Sequence, residues 1–326
     1  MMQNMQFDFA AARALPQNIR FGTSSWTYPG WAGLVYQREY KNEQDLKHNC
    51  LEEYGRFPWF RAVGIDSTFY SPPSAAMLRR YAAQLPQSIL WVSKVWEDIT
   101  IARYARHARY GSNAGKPNPD FLNADKFAAC VVGPYLEADV ADRAGPFVFE
   151  FQMFDREYAK EPGDFLERLD SFLAKLPVEF QYAVEIRTPS LLCPAYFAVL
   201  NKHKVTHCFN HWTFMPGLAE QMRHAAESGG LAAPFFAARI LTPRGTRYDK
   251  AVERFRPYDS IKAPLDEMRK DVVRLARRAM ARSVTAFILV NNRAEGNAPL
   301  TIDAIGRMIN AETGVAEPEE RNVQSG

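Results

Sequence analysis

Eight short runs rich in β-branched and aromatic residues alternate with longer stretches at helical spacing, and this alternation limits the fold more than any other feature of the chain. The runs span residues 19–24, 61–66, 88–95, 147–152, 181–187, 204–210, 234–241 and 284–291, the fourth entered through Gly145-Pro146. The clearest helix covers residues 164–176, where Phe165, Leu166, Leu169, Phe172, Leu173 and Leu176 recur at helical spacing. Residues 74–85 form another, with Ser74 as N-cap and Met77, Leu78 and Tyr81 inward. Residues 264–282 turn Leu265, Met268, Val272, Leu275 and Met280 inward and basic residues outward, and 43–55, 122–138, 190–202 and 301–312 also read as helices. Eight strands with intervening helices in 326 residues predict an α/β fold, a single (β/α)8 TIM-type barrel, with a doubly wound sheet as the competing arrangement. The barrel is expected to fill residues 1–310 as one domain, leaving 311–326 as a polar, disordered tail.

Two connections are longer than a minimal barrel needs: residues 101–119 after the third strand and 242–261 after the seventh. Both follow strand C-termini, so both are expected on the face where barrel active sites are built. Residues 101–118 carry Arg103, Arg106, Arg109 and Lys116 with no acid. Residues 239–256 carry Arg239, Arg244, Arg247, Lys250, Arg254 and Arg256 against Asp249 and Glu253. Local charge of this kind attracts phosphates although the whole chain carries only +3. The spacing of Arg103, Arg106 and Arg109 predicts that they share one side of a turn or helix, with aromatic side chains nearby for stacking. A solvated basic loop is the plainer alternative.

Composition narrows the functional classes. With 47% hydrophobic and 24% charged residues the chain is neither disordered nor coiled-coil. Its four cysteines, at positions 50, 130, 193 and 208, contain no CxxC pair, which argues against a zinc ribbon or thioredoxin-type site and for a reducing compartment. The first twenty residues lack a basic region followed by an apolar core, and no window approaches about 18 consecutive apolar residues, so a cytoplasmic protein with no membrane partner is expected. Neither GxGxxG nor GxxxxGK[ST] occurs, so dinucleotide and P-loop nucleotide readings have no motif support and the cofactor stays open.

Polar residues stand at the C-terminal end of every predicted strand: Ser24 and Ser25, Asp66, Lys94, Glu150 and Gln152, Glu185 and Arg187, Asn210 and His211, Arg239, and Asn291 with Asn292. Inward-pointing residues at such ends converge on one cavity. Glu185 and Arg187 are two apart and share one strand face, either as an ion pair or as part of a reactive site. Glu150 and Glu185 on adjacent strands suggest a carboxylate pair of the kind glycoside hydrolysis uses, or a salt-bridged structural element. Lys94 is a candidate Schiff-base amine, anion holder or partner of Glu150. His207 and His211, with Asp66, Glu150 and Glu185, provide ligand types for a divalent metal, which the chemistry permits without requiring. Trp26, Tyr28, Trp31 and Tyr70 would crowd the loops after the first two strands, as a sugar- or base-binding face or as an apolar plug.

Several of these residues sit in recognisable motifs. Gly22-Thr23-Ser24-Ser25-Trp26-Thr27-Tyr28-Pro29-Gly30-Trp31-Ala32-Gly33 resembles the opening signature of the YecE-like family, a bacterial domain of unknown function. Asp66-Ser67-Thr68-Phe69-Tyr70 before Pro72-Pro73, and Lys94 with Ile99-Thr100, resemble its second and third motifs. Gly145-Pro146, Val184-Glu185-Ile186-Arg187, and Asn291-Asn292 with Gly296 and Ala298 resemble the later ones, so the likeness runs from Arg20 to Ile309. The resemblance implies a TIM-type barrel and implies no activity. The chain departs from the pattern at Gly64-Ile65-Asp66, where Glu-Ile-Asn is usual. It also has Ile101 and Thr188 where histidines are common and Glu150 where glutamine is usual, which predicts a divergent subgroup.

The functional expectation is a hydrolase or lyase acting on an anionic ligand at the barrel mouth, such as a phosphorylated sugar, a nucleotide or a nucleic-acid end. Glu185, Glu150, Lys94 and Asp66 are its catalytic candidates. Ser25, Trp26, Tyr28, Tyr70, Arg187, His211, Arg239, Asn291, Asn292, Arg103 and Arg106 are its ligand-binding candidates. The alternative is a non-catalytic barrel that binds nucleic acid or a protein partner through its basic loops.

Overall fold

The computed structural model describes residues 7–154 and 162–313. Its strands are β1 (Ile19–Thr23), β2 (Ala62–Ile65), β3 (Leu90–Lys94), β4 (Ala144–Phe151), β5 (Tyr182–Ile186), β6 (Thr206–His211), β7 (Phe235–Ile240) and β8 (Thr285–Val290). They are parallel and hydrogen-bonded in the order β1-β8-β7-β6-β5-β4-β3-β2. Pairing of β1 with β8 curls the sheet into a nearly closed barrel, whereas a doubly wound sheet would keep the first strand in its interior. All eight predicted strands are present. The fourth starts three residues early, at Ala144, because β4 shifts register against β3 between Trp91 and Ser93, and that bulge accommodates Pro146, which has no N–H to donate.

The closing seam between β1 and β2 carries few backbone bonds of its own. The Tyr54 hydroxyl bridges it, accepting from the Thr23 N–H at 3.0 Å and donating to the Ala62 carbonyl at 2.9 Å. Two glycines allow the strands to approach: a Cβ at Gly22 would lie 2.2 Å from the Ala62 carbonyl oxygen, and one at Gly64 2.7 Å from that of Thr23.

The helices surround the barrel. Ala75–Gln84 begins as expected, with the Ser74 hydroxyl accepting the Met77 N–H at 3.2 Å. Gly163–Leu173, Pro194–Lys202, Asp266–Ala281 and Ala298–Thr313 match their predicted segments. The 43–55 segment divides into Glu43–Asn49 and Leu51–Arg56. The 122–138 segment widens into a π turn over Ala128–Val132, just before Pro134, whose ring cannot continue the regular ladder. Among the described residues four α-helices have no counterpart in the sequence analysis: Phe9–Ala14, Glu97–Thr100, Leu218–Glu227 and Tyr248–Phe255, the last inside the 242–261 connection. Ala311–Thr313 complete the final helix rather than starting a tail, and residues 314–326 lie outside the described residues. Among the described residues no helix is long and apolar enough to cross a membrane.

Two apolar layers hold the structure. One fills the space between strands and helices. The other, inside the barrel, is built from Ala62, Val92, Val148, Ala183, Cys208, Phe235, Ala237, Phe287 and Leu289. Small residues leave room there for Phe235 and Phe287, whose rings meet edge to face at 6.2 Å. Two positions further along the same strand faces stand Lys94, Glu150, Glu185 and Arg239, so a charged layer sits on the apolar plug at the C-terminal end.

Candidate functional site

That charged layer is one connected network. Glu150 and Glu185 are register partners on β4 and β5, and both are fully buried. Two adjacent buried carboxylates repel unless cations separate them. Glu150 Oε2 accepts from Lys94 Nζ, Arg187 Nη2 and Arg239 Nη1, each at 2.7 Å, and its Oε1 accepts from Gln152. Glu185 accepts from Arg187 Nε at 3.1 Å and from Arg239 Nη1 at 2.6 Å. Arg239 also donates from Nη2 to Asp66 Oδ2 at 2.6 Å, which ties the end of β2 to β7 across the mouth. Burial alone would raise the Glu150 pKa, but Arg187, Lys94 and Arg239 outweigh it and hold the carboxylate well below its ordinary range. Burial lowers the Lys94 pKa, opposed by Glu150 and reinforced by Arg239, and the ammonium lies 3.5 Å above the Phe69 ring centre.

Above the network opens a cavity of about 540 Å³. Lys94, Arg103, Arg109, Arg187, Arg239 and Arg293 line it, against Asp66, Glu97 and Glu150. Its aromatic wall is Phe69, Tyr70, Tyr110, Trp212 and Tyr248. Arg187 stacks on Trp212 with its guanidinium carbon 4.1 Å from the ring centre. Glu97, at the start of a short helix after β3, accepts from Arg109 Nη2 at 2.6 Å and the Tyr110 hydroxyl at 2.9 Å. Burial still raises its pKa against both partners.

The cavity brings together Asp66, Lys94, Glu150, Tyr70, Arg187, Arg239 and Arg103, with Glu185 directly beneath. Other expected ligand residues do not line it. Trp26 is buried in the core, and its carbonyl accepts the Tyr36 hydroxyl. Tyr28 packs on Trp31 and Tyr258, with its hydroxyl pKa pushed up to about 12 by burial, and Ser25 gives its carbonyl to the Thr23 hydroxyl at 2.7 Å. Asn292 accepts the Trp31 indole N–H at 3.1 Å and the Ala298 N–H at 2.8 Å, so it joins two loops instead of facing a ligand. Asn291 accepts the Arg293 N–H at 3.0 Å and shapes the turn that presents Arg293 to the cavity. His211 Nδ1 lies 2.9 Å from the Thr242 carbonyl, outside the cavity lining.

The basic loop also differs from a helical face. Arg103 lies in an antiparallel bridge to Pro117, and the chain reverses through Gly111 and Gly115 at positive φ, so the segment folds back on itself instead of forming one helix. Arg103 and Arg109 reach the mouth, and Arg103 also lines, with Arg106, an adjoining cavity of about 540 Å³. From the second basic stretch only Arg239 enters the mouth; Arg247 pairs with Asp249 and Lys250 with Glu253 in solvent. Glu97, Trp212, Tyr248 and Arg293 also line the mouth, and no motif or periodicity in the sequence points to them.

Among the described residues no group of three or more His, Cys, Asp or Glu side chains converges as a metal site would require. His207 is instead a core residue, 3.0 Å from the Tyr196 hydroxyl and 3.1 Å from Gln221 Oε1, with its pKa lowered to about 4 by burial.

The family model described as "Protein of unknown function DUF72" matches residues 20–324. Among solved structures, a DUF72 family protein from Enterococcus faecalis V583 is 13% identical with a TM-score of 0.59, over 90% of this chain and 95% of that one. Another, from Thermotoga maritima MSB8, is 20% identical with a TM-score of 0.55, over 90% and 99% of the two chains. These similarities concern the fold alone. No curated protein matches the chain.

Proposed function

The chain belongs to this DUF72 family, the YecE-like proteins of unknown function, and from that premise we propose that its barrel mouth binds a phosphorylated small molecule and acts on it as a hydrolase or lyase. The observation that carries the reading is the excess of cations over carboxylates in the cavity. Among the described residues neither Arg103 nor Arg293 has a carboxylate partner: Arg103 donates to the Gly115 carbonyl at 2.9 Å, and Arg293 lies over Tyr248. With Lys94 and Arg187 at the floor, they form a partly desolvated clamp suited to a phosphate.

The same geometry supports a division of labour. Glu150 has both oxygens engaged and Glu185 lies beneath the floor with both oxygens engaged, so each acts as a fixed charge that holds Lys94 and the two guanidiniums in place. Asp66 is 29% exposed and uses only Oδ2 on Arg239, which leaves Oδ1 to accept a proton from water or substrate. Lys94, with its lowered pKa, is the matching proton donor at the end of the neighbouring strand, since Ile65 and Ser93 are register partners.

A thermal-shift series tests this with inorganic phosphate, sugar phosphates, nucleotides, oligonucleotides and neutral sugars, each with and without divalent metal. A ligand at about 100 Kd should stabilise the fold by about 2.7 kcal/mol. Stabilisation by phosphorylated small molecules that is lost in Arg187→Ala is the expected result. A response only to oligonucleotides would favour the non-catalytic barrel, and a response to neutral sugars alone would refute the anion pocket.

A further inference from the structure

We infer that the ligand of this mouth carries a flat heteroaromatic ring in addition to its phosphate, making it a nucleotide unit rather than a sugar phosphate. The inference rests on the phosphate-binding reading above and narrows it. Seven large hydrophobic side chains are exposed among the described residues, and three of them, Tyr70, Met153 and Tyr248, line this one cavity. Single exposed aromatics are ordinary, but a cluster beside polar groups marks a binding surface. Tyr70 follows the short turn after β2, and Tyr248 opens the helix after β7, so distant segments deliver both rings to the same opening.

Each ring has a guanidinium over it. The Arg109 guanidinium carbon lies 5.4 Å from the Tyr70 ring centre and 4.5 Å from that of Tyr110, and the Arg293 carbon lies 4.6 Å from the Tyr248 centre. These contacts orient the rings, yet Tyr70 remains 65% and Tyr248 52% exposed. Lys94, Arg187 and Arg239 occupy the floor, while Tyr70 and Tyr248 lie at the rim with Arg109 and Arg293 over them. A ligand with an anionic head and a planar tail fits that order, whereas a sugar phosphate offers the rim rings no planar face to stack on. Stacking discriminates weakly among bases because every base has a π-face.

Titration calorimetry with inorganic phosphate, ribose 5-phosphate, AMP and CMP tests the inference. AMP and CMP should bind about ten-fold or more tighter than ribose 5-phosphate, within the range expected for stacking one base. Tyr70→Ala and Tyr248→Ala should remove that advantage and leave ribose 5-phosphate binding unchanged, while Tyr70→Phe and Tyr248→Phe should keep it. Equal affinity for AMP and ribose 5-phosphate would overturn the ring inference and leave the phosphate reading standing. Alanine variants that weaken both ligands equally would overturn it too. Binding of none of the four would remove the phosphate reading and the ring inference together. A 5′-phosphorylated pentanucleotide separates the sources: tighter, salt-dependent binding identifies a strand end, and affinity no better than AMP identifies a free nucleotide. Either result supports the ring-and-phosphate chemistry.

Discussion

Arg239 Nη1 donates to Glu185 Oε2 at 2.6 Å although β6 separates their strands. The guanidinium spans the barrel interior, and the intervening Asn210 leaves the path open by turning its amide towards the Ile186 carbonyl at 3.1 Å. One planar fork thereby holds Asp66, Glu150 and Glu185, three carboxylates from three different strand ends.

Removing that fork should destabilise the fold strongly. Arg239→Met leaves buried carboxylates short of a counter-charge, and breaking one side of a buried ion network costs about 3–5 kcal/mol. Arg239→Lys keeps the charge but has a single nitrogen, so it should recover only part of the loss. Urea denaturation of the three proteins checks both statements. A midpoint for Arg239→Met equal to that of the native chain would show that the network contributes nothing to stability.

Glu150 should give the network an acid limit. Its folded pKa lies below the unfolded one, so its contribution is fully present above about pH 4.3, the unfolded value for Glu, and fades as pH falls towards the folded pKa. Glu150→Gln does not titrate. The stability gap between native protein and Glu150→Gln should therefore be constant from neutral pH down to about 5 and shrink below about 4. A gap that stays constant down to pH 3 would contradict the depressed pKa.

The strands were legible in the sequence because each buried run carries a clean apolar signal, and the charged layer was legible because Lys94, Glu150, Glu185 and Arg239 fall at the inward register of strand ends. The Leu218–Glu227 helix was hidden by Gln221, a polar residue on its buried face that donates to the Asn210 carbonyl at 2.7 Å and accepts the Asn210 N–H at 3.1 Å. Trp26, Tyr28 and Asn292 resembled ligand residues, yet they lock loops together. The same packing is so tight at Gly30 that a Cβ would lie 2.1 Å from the Pro257 carbonyl oxygen. Glu97, Tyr248 and Arg293 reach the mouth from irregular connections, whose course no periodicity reports.

His207 should dominate the pH dependence nearer neutrality. Its folded pKa of about 4 lies below the ordinary histidine value of 6.5, so the unfolded chain binds the proton more readily. Stability is then lost as pH falls from about 6.5 towards 4, by an amount on the order of 3 kcal/mol at 1.36 kcal/mol per unit. His207→Gln should flatten this region of the stability–pH curve while lowering stability at pH 7. Parallel slopes between pH 7 and 5 for the two proteins would show that His207 is not the group responsible.

The basic loop supplies a contrast within a single segment. Arg103 lines the mouth as well as the adjoining cavity and lacks a carboxylate partner among the described residues, whereas Arg106, three positions on, lines only the adjoining cavity, beside Gly115. Both side chains are exposed, so neither substitution should disturb the fold. Arg103→Gln should weaken phosphate-ligand binding by about 1.5–3 kcal/mol, the range of a charge-assisted hydrogen bond, and should reduce its salt dependence. Arg106→Gln should change binding by less than about 0.5 kcal/mol. Calorimetry with one phosphorylated ligand at two ionic strengths decides the matter: equal losses for both variants would mean that diffuse loop charge, and not a clamp in the mouth, attracts the anion.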